Sequence, residues 1–319
     1  MAEWLIEEGI GEHRAVLVER GQVLAARLEW PGELAADAVA EGVLVARASG
    51  SPRGRARFAS GEEALIDRLP REAGEGRKLR FVVTRAAIGE ARRRKLAQAR
   101  PTDEECRPAP TLLERLGGRA VRRFPRGTWE DVWAEAAEGV VPFRQGELQF
   151  SPTPAMTLVD VDGTLQPRDL ALAAVEPLAR AIARFGLSGS IGIDFPTLRD
   201  KADRKALDGM LGVVLADWDH ERTAMNGFGF VQLVARVEGP SLLHRLHFAR
   251  PGAAARWLLR QAEGLEGAGA TLLTAHPRVL AAITADWQAE LVRRTGRPLR
   301  LQPDPALAVA GGGAQIVPV

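Results

Sequence analysis

Two apolar runs that each end in an aspartate, separated by one helix, constrain this chain more than any other feature. Ala155 to Val161 and Ser190 to Phe195 read as strands. Between them, Leu170 to Phe185 repeats its apolar residues at intervals of three and four, the period of a helix with one buried face. A second helix is expected over Leu198 to Leu215. Strand, helix and strand in so short a span form a βαβ unit, whose crossover makes the two strands parallel and brings their carboxyl ends to one edge. Asp160 and Asp194, 34 residues apart, then converge where α/β folds build their sites. Carboxylates crowded into a small volume repel, and a divalent cation relieves that repulsion. Mg²⁺ suits such a place, because it takes one or two carboxylates and fills its remaining positions with water and substrate phosphates.

The first 85 residues follow a different rule. HRAVLVE, QVLAARLE, GVLVARAS, RARFAS, EALI and LRFVVTR alternate or are rich in β-formers, and Gly21, Pro31-Gly32, Gly50-Ser51-Pro52 and Gly61 punctuate them. Short strands in this number suit a small closed barrel over residues 1–90, of the OB type that commonly binds single-stranded nucleic acid. Phe58, flanked by Arg55 and Arg57, fits a base-stacking platform, and equally fits a barrel core. Residues 91–150 read as a basic linker with short helices. Glu90 to Ala99 looks helical, Pro101, Pro108 and Pro110 interrupt regular structure, and TLLERLG and TWEDVWAEAAEG form brief helices, the second opened by Thr128 as its cap. Residues 151–319 make up the remaining α/β unit, so the chain is expected to be an α+β multidomain protein.

Charge narrows the partners. The net charge of +2 conceals an asymmetry. Residues 1–50 carry four basic and nine acidic side chains, whereas residues 77–126 carry fifteen basic and five acidic, including Arg92-Arg93-Arg94-Lys95. Each Arg or Lys beside a phosphate displaces a condensed counterion, so this block reads as a phosphate-contacting surface, with a solvated arginine-rich face as the plain alternative. No apolar run reaches the ~20 residues of a membrane span, and the acidic start MAEWLIEEG does not read as a signal peptide, so a cytoplasmic location is expected. The single Cys106 supplies neither an internal disulfide nor a cysteine-based zinc site.

The string Asp160-Val161-Asp162-Gly163-Thr164 admits two chemistries. Haloacid-dehalogenase-type phosphatases use an almost identical DxDGT, in which the first Asp is phosphorylated and the second serves as acid and base. Those enzymes also need a later acidic pair written GDxxxD, and no Gly-Asp dipeptide follows position 164 here. His244 and His247, three apart, lack a third ligand and read as packing histidines. Asp217 and Asp219 read as a helix terminus, and GLEGAGA and GGGAQ as loop and tail.

A different likeness covers far more of the chain. PAMTLVDVDG (154–163), IGIDFPTL (191–198), KADRKALDGML (201–211), MNGFGFVQLVAR (225–236), GPSL (239–242) and AHPRV (275–279) resemble, in order and spacing, the catalytic half of the ribonuclease E/G family. GQVLAARLEWPG and RARF resemble, more weakly, that family's OB-type RNA-binding barrel. The resemblance implies a ribonuclease H-like catalytic domain and a metal-dependent endoribonuclease of single-stranded RNA, using Mg²⁺, with Mn²⁺ as the alternative ion. It places the two metal-binding aspartates at Asp160 and Asp194, Asp162 where the family carries Asn, and an RNA-contacting aromatic at Phe58. The neighbouring aromatic position is here Leu65. Arg204 and Lys205, on the helix after the second strand, would clamp an adjacent phosphate. The linker is too short for the family's 5′-monophosphate pocket, and one cysteine cannot supply its subunit-joining zinc hook.

Overall fold

The structure is a computed structural model that describes all 319 residues except 91–93, 238 and 249. The chain opens with an antiparallel meander of β1 (Glu3–Gly9), β2 (Glu12–Glu19) and β3 (Gln22–Glu29). The β2–β3 turn is Arg20-Gly21 with both φ angles positive (48° and 79°), the backbone of a two-residue hairpin whose twist matches its strands. Leu5, Val16, Ala26 and Leu28 of this meander do not pack with the next strands. They enter one core with residues from 124 to 253.

A closed barrel follows, built from β4 (Val39–Arg47), β5 (Gly54–Phe58), β6 (Glu63–Ile66) and β7 (Lys78–Arg85). A short pair, β8 (Ile88–Gly89) and β9 (Arg94–Lys95), leads to β10 (Ala97–Pro101), which closes the ring by pairing parallel with β6 and antiparallel with β7. The barrel is narrow because its interior mixes alanine with larger groups. Ala56, Ala64, Ala97 and Ala99 make room for Leu44, Phe58, Ile66, Phe81 and Val83. The barrel therefore comprises strands between residues 39 and 101, not residues 1–90. HRAVLVE and QVLAARLE belong to a separate sheet, and the expected helix over Glu90 to Ala99 is replaced by the described strands β9 and β10. Local alternation identifies a strand but not its partner, and pairing of 94–95 with β8 and of 97–101 with β6 and β7 overrides the helical tendency of this segment.

After the barrel come α1 (Leu112–Leu116), opened by a Thr111/Glu114 capping box, β11 (Arg119–Ala120), which joins β1 in parallel, and α2 (Thr128–Glu138). The cap of α2 is Gly127, not Thr128. The main sheet consists of β12 (Val140–Phe143), β13 (Gly146–Pro152), β14 (Thr157–Gly163), β15 (Gly189–Asp194), β16 (Glu221–Arg222) and β17 (Phe230–Ala235) in the order β12-β13-β14-β15-β17-β16. Its first strands thus lie within the segment read as linker. Only the β14–β15 pair is parallel. The crossover between them is α3 (Pro167–Phe185), whose buried Leu170, Ala174, Val175, Leu178, Ala181, Ile182 and Phe185 seat it between this sheet and β3. A second helix, α4 (Lys201–Val214), packs beside α3. The opposite face of the sheet carries the exposed residues Gln149, Ser151, Leu158 and Val234.

The C-terminal part has its own core of Leu258, Leu259, Leu273, Val279 and Leu291. After α5 (Leu242–Phe248), whose Leu242, Leu243 and Leu246 still belong to the main core, it comprises α6 (Arg250–Glu263), β18 (Ala270–Ala275), α7 (Pro277–Leu280), α8 (Ala285–Thr295), β19 (Leu299–Pro303) and β20 (Gly313–Val317), with the sheet order β19-β18-β20. The glycine-rich GGGAQ, expected as a tail, contributes to β20, because backbone pairing to β18 needs no side chain. The chain is a mixed α+β protein with a closed five-stranded barrel, and none of the helices among the described residues is long and apolar enough to cross a membrane.

Candidate active site

In β14 the two-residue period turns Val159 and Val161 into the core and leaves Leu158, Asp160 and Asp162 on the open face. In β15, Ile191 and Ile193 are fully buried and Asp194 ends the strand exposed. The parallel register sets Asp160 directly opposite Asp194, so their backbones are one strand spacing apart, about 4.8 Å. On the other side, antiparallel β13 places Gln149 opposite Asp160 and Glu147 opposite Asp162. The expected convergence of Asp160 and Asp194 is therefore present, and it occurs at adjoining strand ends on an exposed surface. Among the described residues, the ion pairs of α3's first turn and of α4 join Arg168 to Asp169 and Asp203, and Arg222 to Asp208, and include neither Asp160 nor Asp194.

The floor beside these carboxylates is shaped by Gly192. A Cβ there would collide with the Phe230 ring and crowd Met156 Sδ, so the glycine lets Phe230, the register partner of Asp194, lie across β15. Gln232 Nε2 donates to Ser190 Oγ at 3.1 Å further along the same face.

Asp162 turns back on its own backbone, with Oδ1 accepting the Gly163 N–H at 2.7 Å. Asp200 caps α4 by accepting the Ala202 N–H at 2.8 Å. Arg204 Nη1 donates to the carbonyls of Leu198 at 2.6 Å and Arg199 at 2.9 Å, which ties the loop after Asp194 to α4. This guanidinium braces the loop, whereas Lys205, with Arg199 and Lys201, is exposed. Asp217 lies in the turn after α4.

The expected RNA-contacting residues of the barrel fare differently. Phe58 is buried, and its ring meets Phe81 edge-on with centroids 5.9 Å apart. It is a core residue and offers no face for a base. Leu65 on the neighbouring strand is exposed instead. Arg94 bonds Glu62 at 2.8 Å and Glu33 at 3.3 Å, and Lys95 pairs with Glu90 at 2.6 Å while donating to the Pro154 carbonyl at 3.2 Å. Arg92 and Arg93 lie outside the described residues. His244 and His247 are packing groups, as expected. His244 Nδ1 sits 2.8 Å from Ser241 Oγ, and burial, reinforced by Lys95, lowers its pKa to about 4.

Among the described residues, no three His, Cys, Asp or Glu side chains group closely enough to hold a metal alone. The donor set on offer is two exposed carboxylates with room around them. That set fits a Mg²⁺-like ion completed by water and a substrate phosphate, and it lacks the nitrogen and sulfur donors that favour zinc. Two residues near the site carried no role in the sequence reading. Gln149 comes from a strand assigned to the linker, and Phe228 lies within the MNGFGFVQLVAR string, whose aromatic residue was visible but whose exposure was not.

Comparison with protein-family models and with curated proteins finds no match to this chain.

Proposed function

We propose that this protein is a metal-dependent endoribonuclease acting on single-stranded RNA, with the main sheet as a ribonuclease H-like catalytic domain and the barrel as an OB-like RNA-binding module. The observation that carries this reading is the direct pairing of Asp160 with Asp194 on an open sheet face. Two carboxylates side by side, without a basic partner in the ion pairs described there, are the costly arrangement that a cation relieves. The mixed sheet, with a single parallel pair, and the absence of a later Gly-Asp dipeptide both favour this reading over a dehalogenase-type phosphatase.

Asp160 and Asp194 would hold the ion. When bound, it supplies charge neutralisation at the phosphoryl oxygens and activation of the attacking water. The protein's own contribution is to hold the carboxylates rigidly. Ile191, Ile193, Val159 and Val161 anchor the strands from the buried side, and Arg204 fixes the loop that leaves Asp194. Exposed Arg199, Lys201 and Lys205 provide positive charge along the path of a strand that reaches the pair. Asp162 faces the same opening two residues along β14, and on this reading it orients water rather than serving as the acid and base of a phosphatase.

The test is incubation of the purified chain with end-labelled single-stranded RNA and Mg²⁺. Internal cleavage that stops with EDTA and resumes with added Mg²⁺ or Mn²⁺ is expected. Intact RNA under these conditions, or hydrolysis only of small phosphate esters, would overturn the assignment.

A further inference from the structure

Most apolar residues of the main sheet point into the core, but Phe228 is 83% exposed. A single exposed apolar side chain is common on any protein, so exposure alone means little. What distinguishes Phe228 is the rigidity and position of the turn that presents it. Asn226 Oδ1 accepts N–H groups from both Phe228 (2.9 Å) and Phe230 (3.1 Å). The Thr197 hydroxyl donates to the Phe228 carbonyl at 3.1 Å, and the Phe195 N–H to the Gly229 carbonyl at 3.2 Å. Gly229 has φ of +96°, and a Cβ there would collide with the Phe195 carbonyl, so the turn is locked against the residue that follows Asp194. Two positions further on, Phe230 is the register partner of Asp194 itself.

The surroundings indicate what such a ring would meet. On the loop from Asp194 to α4 and its first turns, Arg199, Lys201 and Lys205 are exposed. An exposed ring on an ordered turn, with that turn bonded to the loop that joins a carboxylate pair to exposed cations, is a combination that single-stranded nucleic acid recognises, with phosphates meeting the charges and an unpaired base meeting the ring. Since the turn is already ordered, the contact costs little conformational entropy on binding.

We infer that Phe228 is a stacking platform that holds one unpaired base of the single strand beside Asp194, and so helps to choose which phosphodiester reaches the two carboxylates. The inference rests on the nuclease reading above and adds to it a positioning residue on the catalytic unit.

The experiment uses the full chain and a labelled single-stranded RNA oligonucleotide, together with a series in which one nucleotide at a time is made abasic. Binding is measured in EDTA and cleavage in Mg²⁺. Phe228→Ala is expected to weaken binding about 5- to 100-fold, the range for loss of one stacked base. Phe228→Trp should retain binding, and Phe228→Leu should not restore it. In the unsubstituted protein, one abasic position should reproduce the loss, and Phe228→Ala should be indifferent to that same position. Cleavage by Phe228→Ala should spread over neighbouring bonds. Thermal melting should be unchanged, as the side chain is exposed. If Phe228→Ala binds and cuts like the parent, with no abasic position coupled to it, the inference is wrong while the nuclease reading stands. A lowered melting temperature with full rescue by leucine would mean a packing role and would also overturn it. Should the parent neither bind nor cut the RNA, the nuclease reading fails and takes the platform with it.

Discussion

The barrel and the main sheet are both built from short alternating strands, yet they present opposite surfaces. The barrel closes on itself, so every strand finds two partners and the inward residues, including Phe58 and Phe81, fill the interior. Several cations on and beside it are matched by carboxylates: Arg55 and Arg57 with Glu63, Lys78 with Glu41, and Arg94 of the flanking β9 with Glu33 and Glu62. The main sheet is covered by α3 on one side and leaves the other to solvent, where Asp160 and Asp194 stand together. The difference teaches that strands of the same local pattern give a surface of paired charges when the sheet closes and a surface of adjoining like charges when it stays open, the second being the one proposed above to take a ligand.

The sharpest way to break this comparison is to remove the crowding. Asp160→Asn and Asp194→Asn should each lower Mg²⁺-dependent cleavage by roughly three orders of magnitude. RNA affinity measured in EDTA should change little. Near-parental cleavage by either variant would show that the exposed pair is not the metal site.

The barrel should respond in stability rather than in chemistry. Phe58→Ala removes a ring packed edge-on against Phe81 and should destabilise the protein by about 3–5 kcal/mol, read as a lower denaturation midpoint. A variant of parental stability with weakened RNA binding would return Phe58 to the role of base platform that the family resemblance implies.

Asp162 separates the two chemistries with a smaller effect. Its Oδ1 already accepts the Gly163 N–H, and the side-chain oxygen of asparagine can do the same. Asp162→Asn should keep RNA cleavage within about tenfold of the parent, with more Mg²⁺ needed for half-maximal rate as one nearby charge is lost. A collapse of the rate would mean that Asp162 transfers a proton, as the phosphatase reading requires.

The smallest effect is expected from Arg94 and Lys95, because both are engaged by glutamates. Joint replacement by alanine should reduce the salt dependence of RNA binding by well under the ~0.7 in slope that each true phosphate contact on a single strand contributes. A full reduction for both residues would show that RNA displaces Glu33, Glu62 and Glu90.

Several features were legible without coordinates because they depend on neighbours along the chain. The alternation of TLVDVDG, the three-and-four spacing of α3 and the strand before Asp194 come from local periodicity, and the right number of residues between them forces a parallel crossover. That reasoning placed Asp160 and Asp194 side by side. It also supplied a barrel, though with the wrong outer strands.

What the sequence determined by itself is therefore the strongly periodic elements, such as TLVDVDG and α3, and the convergence of two carboxylates that a βαβ unit of this spacing produces, but not the strands at 94–101 and 313–317. Only the tertiary structure decided which sheet each strand joins, that β1–β3 share a core with the main sheet, that Phe58 points inward, that Arg204 is spent on two carbonyls, and that Phe228 stands exposed on a turn bonded to the loop after Asp194. The physical reason is the range of the interactions. Periodicity and capping act over a few residues and are written in the local sequence, whereas the sheet partner of a strand, the burial of a ring and the mate of a charge are settled by residues distant in the chain that meet only once it has folded.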